Sequence, residues 1–131
     1  MRIEITILVE PTPKGRPRFG TTKAGKRYTY TPDRTAHAEA LIREALIDKG
    51  YFDKHIPLRI EATFYRPKPK SLPKKVNLPV AKPDLSNLLK TLEDALEKFV
   101  FANDSQITTA VIRKRFGVPP RIHLILEMDS D

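Results

Sequence analysis

Three observations predict an α+β fold for this 131-residue chain: a two-layer sandwich with a mixed or antiparallel sheet of four or more strands, two helices on one face, and an N-terminal basic hairpin arm. Apolar residues alternate in several separate stretches, as in strands with one buried face. Two other stretches carry apolar residues at three- and four-residue steps, as in amphipathic helices. The segments between them concentrate proline, glycine and positive charge.

Ile3, Ile5, Ile7 and Val9 alternate, so residues 2–9 read as a half-buried strand. PTPKGRPRFG then has too many prolines and glycines for regular structure and leads into TTKAGKRYTY, where Ala24-Gly25 marks a hairpin. Thr31 and Pro32 give a cap followed by proline at the first helical position. Ala38, Leu41, Ile42, Ala45 and Leu46 form the stripe of the first helix, and Gly50 is the expected stop. Leu58, Ile60, Ala62 and Phe64 make a second long strand. A proline-rich basic loop, RPKPKSLPKKVNLPVAKP, follows it, and such length within a small domain is itself a pointer to function. Leu85, Leu88, Leu89, Leu92, Ala95, Leu96 and Phe99 form the clearest stripe of all, a helix of roughly 16 residues and about 24 Å. Residues 106–116 and 121–128 read as strands joined in a hairpin by Gly117-Val118-Pro119-Pro120.

Length fits one domain spanning 1–131, with room for a single modest core. No window approaches 18 consecutive apolar residues, and the N-terminus interleaves Arg2 and Glu4 with its apolar residues, so neither a membrane span nor a secretion signal is expected. A cytoplasmic protein is the expectation. The absence of cysteine excludes disulfides and thiolate zinc sites. His37, His55 and His123 lack the spacing of a zinc site, and there is no phosphate-binding glycine loop or GxSxG elbow.

The net charge of +8 is localised. Lys14, Arg16, Arg18, Lys23, Lys26 and Arg27 fall in residues 13–30, and Arg66, Lys68, Lys70, Lys74, Lys75 and Lys82 in residues 66–82, with no acid in either segment. These segments hold half of the 24 lysines and arginines, which leaves a mildly acidic body carrying two basic loops. Such loops suit a polyanion, because each phosphate neutralised releases counterions. Phe19, Tyr28 and Tyr30 lie among the first group of cations. Ordinary strand packing is their simpler role, and stacking on exposed bases the alternative.

Around the second helix, Asp84, Asn87, Lys90 and Thr91 with Asp94 lie along one polar flank, and Ser86, Glu93 and Glu97 further round. The plain reading makes Asp84 a helix N-cap and Lys90 with Asp94 an i,i+4 surface pair. The functional reading notes that phosphodiester hydrolysis needs an activated water and charge neutralisation, which carboxylate-bound magnesium supplies. Asp84 and Asp104 would then be the metal-binding carboxylates, Lys90 a cation for the scissile phosphate, and Asn87 a supporting group.

KPDLSNLLKTLEDAL followed by NDSQI resembles the motif of RusA-type Holliday junction resolvases, and PKGRPRF with the following YTP resembles the N-terminal arm of phage-type members. The resemblance covers nearly the whole chain. It implies a homodimer that resolves branched, four-way DNA by paired nicks in recombination and repair, using Mg2+, for which Mn2+ substitutes, and no small-molecule cofactor. By position, Asp84 matches the first family acid, Asn87 the asparagine, Lys90 the essential lysine and Asp104 the last acid. Ser86 stands where the family has its second acid, and Asn103 where it has the first aspartate of a pair. Serine is an uncharged ligand at best, so a catalytically weakened or inactive branched-DNA-binding protein is the alternative. Lys14, Arg16, Arg18, Lys23, Lys26, Arg27, Lys68, Lys70, Lys74, Lys75 and Lys82 are expected to contact DNA. Asp84 and Asp104 bracket the helix, so they meet only if the chain doubles back after it or a second copy contributes.

Overall fold

A computed structural model describes residues 1–130. Its strands are β1 (Arg2–Ile7), β2 (Arg18–Thr21), β3 (Arg27–Tyr30), β4 (Leu58–Arg66), β5 (Ile107–Phe116) and β6 (Arg121–Met128). The helices are α1 (Asp33–Ala45) and α2 (Leu85–Leu96), with a 3-10 turn at Asp104–Gln106. Four strands form the main sheet in the order β1-β6-β4-β5, and β2 and β3 form a separate two-stranded arm. The architecture is α+β, as the alternation of patterns predicts.

Sheet register explains which face is buried. Ile3, Leu126 and Ile60 lie in one row across β1, β6 and β4, and Ile7, Ile122 and Phe64 in another. These residues point to one side and are 0–4% exposed. Both helices cover that side: Ala38, Ile42 and Leu46 from the first helical segment and Leu88, Leu92, Ala95 and Leu96 from α2 join the same core. The opposite face carries an ion-pair ladder in which Glu61 meets Arg59 and Arg113, each at 3.0 Å. Those two guanidiniums hold the Glu61 carboxyl below its usual range.

The predicted hairpin between β5 and β6 is not formed. β4 lies between them, parallel to β5 and antiparallel to β6. Its inward residues Leu58, Ile60, Ala62 and Phe64 are at most 1% exposed, and a strand this apolar is best satisfied at the centre with a partner on each side. The Gly117–Pro120 segment steps over the end of β4, where Gly117 N donates to Arg66 O at 3.0 Å. Crossing one strand requires only about 10 Å, within reach of four residues. The parallel pair needs a longer link, which the basic loop and α2 provide.

Helix ends also differ from the expected ones. α1 begins at Asp33 with Pro32 as its N-cap, and no side chain caps it. It ends at Ala45, well before Gly50, because the chain must leave the helical path to bring Phe52 into the core, where Phe52 N donates to Val100 O at 2.8 Å. α2 stops at Leu96. Lys98 then takes a left-handed conformation (φ 67°), which turns Val100 and Phe101 inward and leaves Phe99 exposed, outside the stripe. Thr91, expected on the polar flank, is 2% exposed, because the α1–α2 packing extends to that side of the helix.

Candidate functional site

Asp84 occupies the N-cap position of α2, with extended backbone angles, yet its side chain makes no capping hydrogen bond. The plain reading of this aspartate as a cap therefore holds for its position and not for its carboxylate. Asp84 is exposed, and among the described residues it has no ion-pair partner. Ser86 and Asn87 are exposed on the first turn of α2. The Asn87 carbonyl accepts from Lys14 N at 3.2 Å, which attaches the root of the N-terminal arm to this turn.

Lys90 Nζ lies 3.3 Å from Asp94 Oδ1, so the predicted i,i+4 pair exists. The Asp94 carboxylate raises the Lys90 ammonium above its ordinary value, with smaller contributions from Asp104 and Glu93. Asp94 also pairs with Lys14 at 2.9 Å, and Lys14 reaches the buried Glu39 at 3.4 Å. Lys14 was expected to contact DNA. Within the chain its charge is shared between two carboxylates, and it ties the arm to both helices.

Asp104 opens the 3-10 turn that leads into β5. The motif residues around it are architectural. Asn103 Oδ1 accepts from Ser105 N at 2.8 Å, and Gln106 Oε1 accepts in return from Asn103 N at 3.0 Å, a reciprocal cap. Asparagine performs this task as well as aspartate does, which accounts for Asn103 as a structural residue. Gln106 also donates to Asp53 O and Ile56 O at 2.8 and 3.1 Å. The Asp104 carboxylate itself has no ion-pair or hydrogen-bond partner among the described residues, so it is available to a ligand.

The chain doubles back after α2, and the Asp104 charge is felt at Lys90 and Glu93. Burial and then Asp104 push the Glu93 carboxyl up. Asp104 thus lies alongside the middle of α2, within electrostatic range of Lys90 and Glu93, while Asp84 begins the helix. Among the described residues no group of three or more His, Asp or Glu is gathered as a metal site. Both acids have the oxygen chemistry of a magnesium ligand, and magnesium is commonly held by one or two carboxylates, with waters and substrate phosphates completing its shell.

The basic segments flank this region. All of residues 21–30 are exposed, including Lys23, Lys26 and Arg27 in the β2–β3 arm, whose turn is made by Gly25 at φ 83°. Phe19, Tyr28 and Tyr30 are 66, 49 and 42% exposed, so ordinary core packing does not account for them. Arg27 lies over the Phe19 ring at 5.4 Å, and the two tyrosine rings are 5.9 Å apart. Arg16, Arg18, Lys70, Lys74, Lys75 and Lys82 are exposed as well. Lys68 is turned inward, donating to Pro73 O at 2.8 Å and so bracing its own loop.

Sequence reasoning passed over Lys114. From β5 its ammonium donates to Ala81 O and Pro83 O, each at 3.0 Å, and holds the approach to Asp84 against the sheet. The run Arg113-Lys114-Arg115 at the end of a strand was the available signal. No helix among the described residues is long and apolar enough to cross a membrane.

Comparison with known proteins agrees with this layout. The uncharacterized protein YqaN of Bacillus subtilis (strain 168) is 28% identical over 137 aligned residues, which cover 95% of this chain and 94% of the relative. A family model described as endodeoxyribonuclease RusA matches residues 9–127, from the end of the first strand to the last one, with both acidic motifs and both basic segments inside the match. The chain therefore belongs to the RusA family of endodeoxyribonucleases, the resolvases of Holliday junctions.

Proposed function

We propose that this protein is a magnesium-dependent endodeoxyribonuclease that nicks branched DNA as a homodimer. The observation that carries the reading is the pair of unpaired carboxylates, Asp84 and Asp104, set along one helix with Lys90 between them in a chain of the RusA family. A bound divalent ion would supply an activated water and neutralise phosphate charge. Asp84 and Asp104 would hold it, either from one chain or from the two copies of a dimer. Lys90 would contact the scissile phosphate, and Asn87 would support the site. The exposed cations Arg16, Arg18, Lys23, Lys26, Arg27, Lys70, Lys74, Lys75 and Lys82 would follow the DNA backbone, with Lys14 and Lys68 fixing the two basic segments that present them. A two-fold dimer also matches a four-way junction cut on two opposed strands.

A second reading rests on Ser86, exposed where the family places an acid: a branched-DNA-binding protein with weak or no cleavage. A synthetic four-way junction incubated with magnesium separates the two. Cleavage by the wild type that Asp84→Asn abolishes supports the nuclease, whereas cleavage only after Ser86→Asp identifies a lapsed one. Mixing Asp84→Ala with Asp104→Ala chains tests how the site is completed. Shared sites leave one of the two intact and restore single nicks; sites built within one chain restore none.

A further inference from the structure

We propose that the groove between the proline-rich loop and the end of the β4–β5 pair receives an unstacked nucleobase from branched DNA, next to the candidate metal-binding acid Asp84. This rests on the DNA-processing reading above and names a contact that reading does not require. The groove encloses about 470 Å³, within the size range of small-molecule sites. Phe116 contributes apolar surface from the sheet, above the buried Phe64 and Leu88, and Leu72, Val76 and Val80 contribute it from the loop. Three of the loop's apolar residues are left in solvent: Leu72 is 38%, Leu78 51% and Val80 91% exposed. An apolar loop surface of this kind, beside an open cavity, has no packing role within the chain.

Charge decides among the occupants. Arg66, Lys82, Lys114 and Arg115 line the same groove against a single acid, Glu10, which already pairs with Arg66 at 3.4 Å. A purely aliphatic ligand would gain nothing from four cations. A nucleotide has both parts required, an apolar face on the base and phosphates on either side.

Position supplies the third argument. Lys82 and Pro83 line the groove, and Asp84 is the next residue along the chain. Lys114, by donating to Ala81 O and Pro83 O, fixes that wall to the sheet. A base seated here would bring its own phosphate to the start of α2 and so set which phosphodiester bond meets the acid. Bases at a branch point are the cheapest in a duplex to unstack, which favours a junction over linear DNA.

The test uses the full-length protein and four-way junctions carrying 2-aminopurine at successive positions through the branch point, in EDTA so that no strand is cut. Junction binding is followed by gel shift on the same samples. The expected result is a severalfold rise in 2-aminopurine emission at one position near the branch, lost in Val80→Glu and in Leu72→Glu at protein concentrations where the gel shift shows the junction fully bound. Both substitutions are at solvent-facing positions, and circular dichroism checks that each variant is folded. Junction binding with no emission change at any position, or a rise that survives both substitutions, overturns the base pocket and leaves the nuclease reading standing. Failure to bind junctions at all removes the DNA-processing reading and this proposal with it. Dissociation of a dimer by Leu72→Glu assigns the groove to a second copy and overturns the proposal as well.

Discussion

Replacing Gln106 with leucine should cost about 3 kcal/mol of folding stability, although the side chain is neither charged nor part of the apolar core. The Gln106 amide makes four hydrogen bonds to the main chain: its oxygen accepts from Ala102 N and Asn103 N at 2.9 and 3.0 Å, and its nitrogen donates to Asp53 O and Ile56 O. It is 7% exposed, so leucine would fill the same volume, remove four hydrogen bonds and leave three backbone groups without partners, Asp53 O keeping its bond from Ile56 N at 3.0 Å. At about 1 kcal/mol for each net hydrogen bond the sum approaches 4 kcal/mol. Water can reach the exposed residues Asn103 and Asp53, which lowers the expectation to about 3 kcal/mol. A domain of this size has roughly 5–15 kcal/mol in hand, so the variant should still fold. Urea unfolding followed by circular dichroism measures the loss. Asn103→Ala, which removes one cap bond, should cost only about 1 kcal/mol. Because Gln106 holds the turn that begins with Asp104, Gln106→Leu should also lose junction cleavage under conditions where it is fully folded. A loss of stability under 1 kcal/mol, or no more than that of Asn103→Ala, would refute the claim that this amide organises the segment.

Thr91 Oγ1 is buried with no hydrogen-bond partner among the described residues, so Thr91→Val should raise stability by about 1 kcal/mol, read as an increased urea midpoint at unchanged slope. The Glu93 carboxyl is raised above the ordinary glutamate value of 4.5, first by burial and then by Asp104. A raised acid favours the fold while protonated and burdens it as pH rises through the folded value. Glu93→Gln should therefore stabilise the protein at neutral pH and have no effect well below that value. Loss of its i,i+4 repulsion with Glu97 alone contributes about 0.3 kcal/mol, and unfolding curves at the two pH values will show whether the gain follows ionisation. Neutralising Lys74 and Lys75 together should flatten the salt dependence of junction binding by a slope of about 1.8, and an unchanged slope would remove that loop from the interface.

Much of the molecule is legible without coordinates, where local pattern and tertiary demand coincide. The alternation in β1 and β4 and the leucine stripe of α2 each place the residues that the core contains, and the turn at Gly25 follows from a residue type that tolerates a positive φ. Reading failed where a segment served two neighbours. Gly117–Pro120 has the composition of a hairpin turn, yet it crosses β4, because strand partners are set by which strand needs burial on both flanks and not by the link between them. Phe99 keeps the helical period, but the left-handed Lys98 ends the helix so that Phe101 can be buried. Likewise Lys14 looks from the sequence like one more cation of a basic arm. Only the approach of Asp94 and Glu39, from two different helices, makes it a tether.

For the site, the sequence by itself determined the chemistry: two acids, a lysine and an asparagine in the order of a nuclease motif, and two cation-rich loops set in an otherwise acidic body. Those are properties of residue type and spacing. Tertiary structure alone decided which of these groups are spent and which are free. Folding engages Lys14, Lys68, Asn103 and Gln106 in holding loops and caps, and leaves Asp84 and Asp104 unpaired along α2. The physical reason is that a side chain's availability depends on which partners the fold brings within about 3 Å, a distance that no one-dimensional pattern specifies.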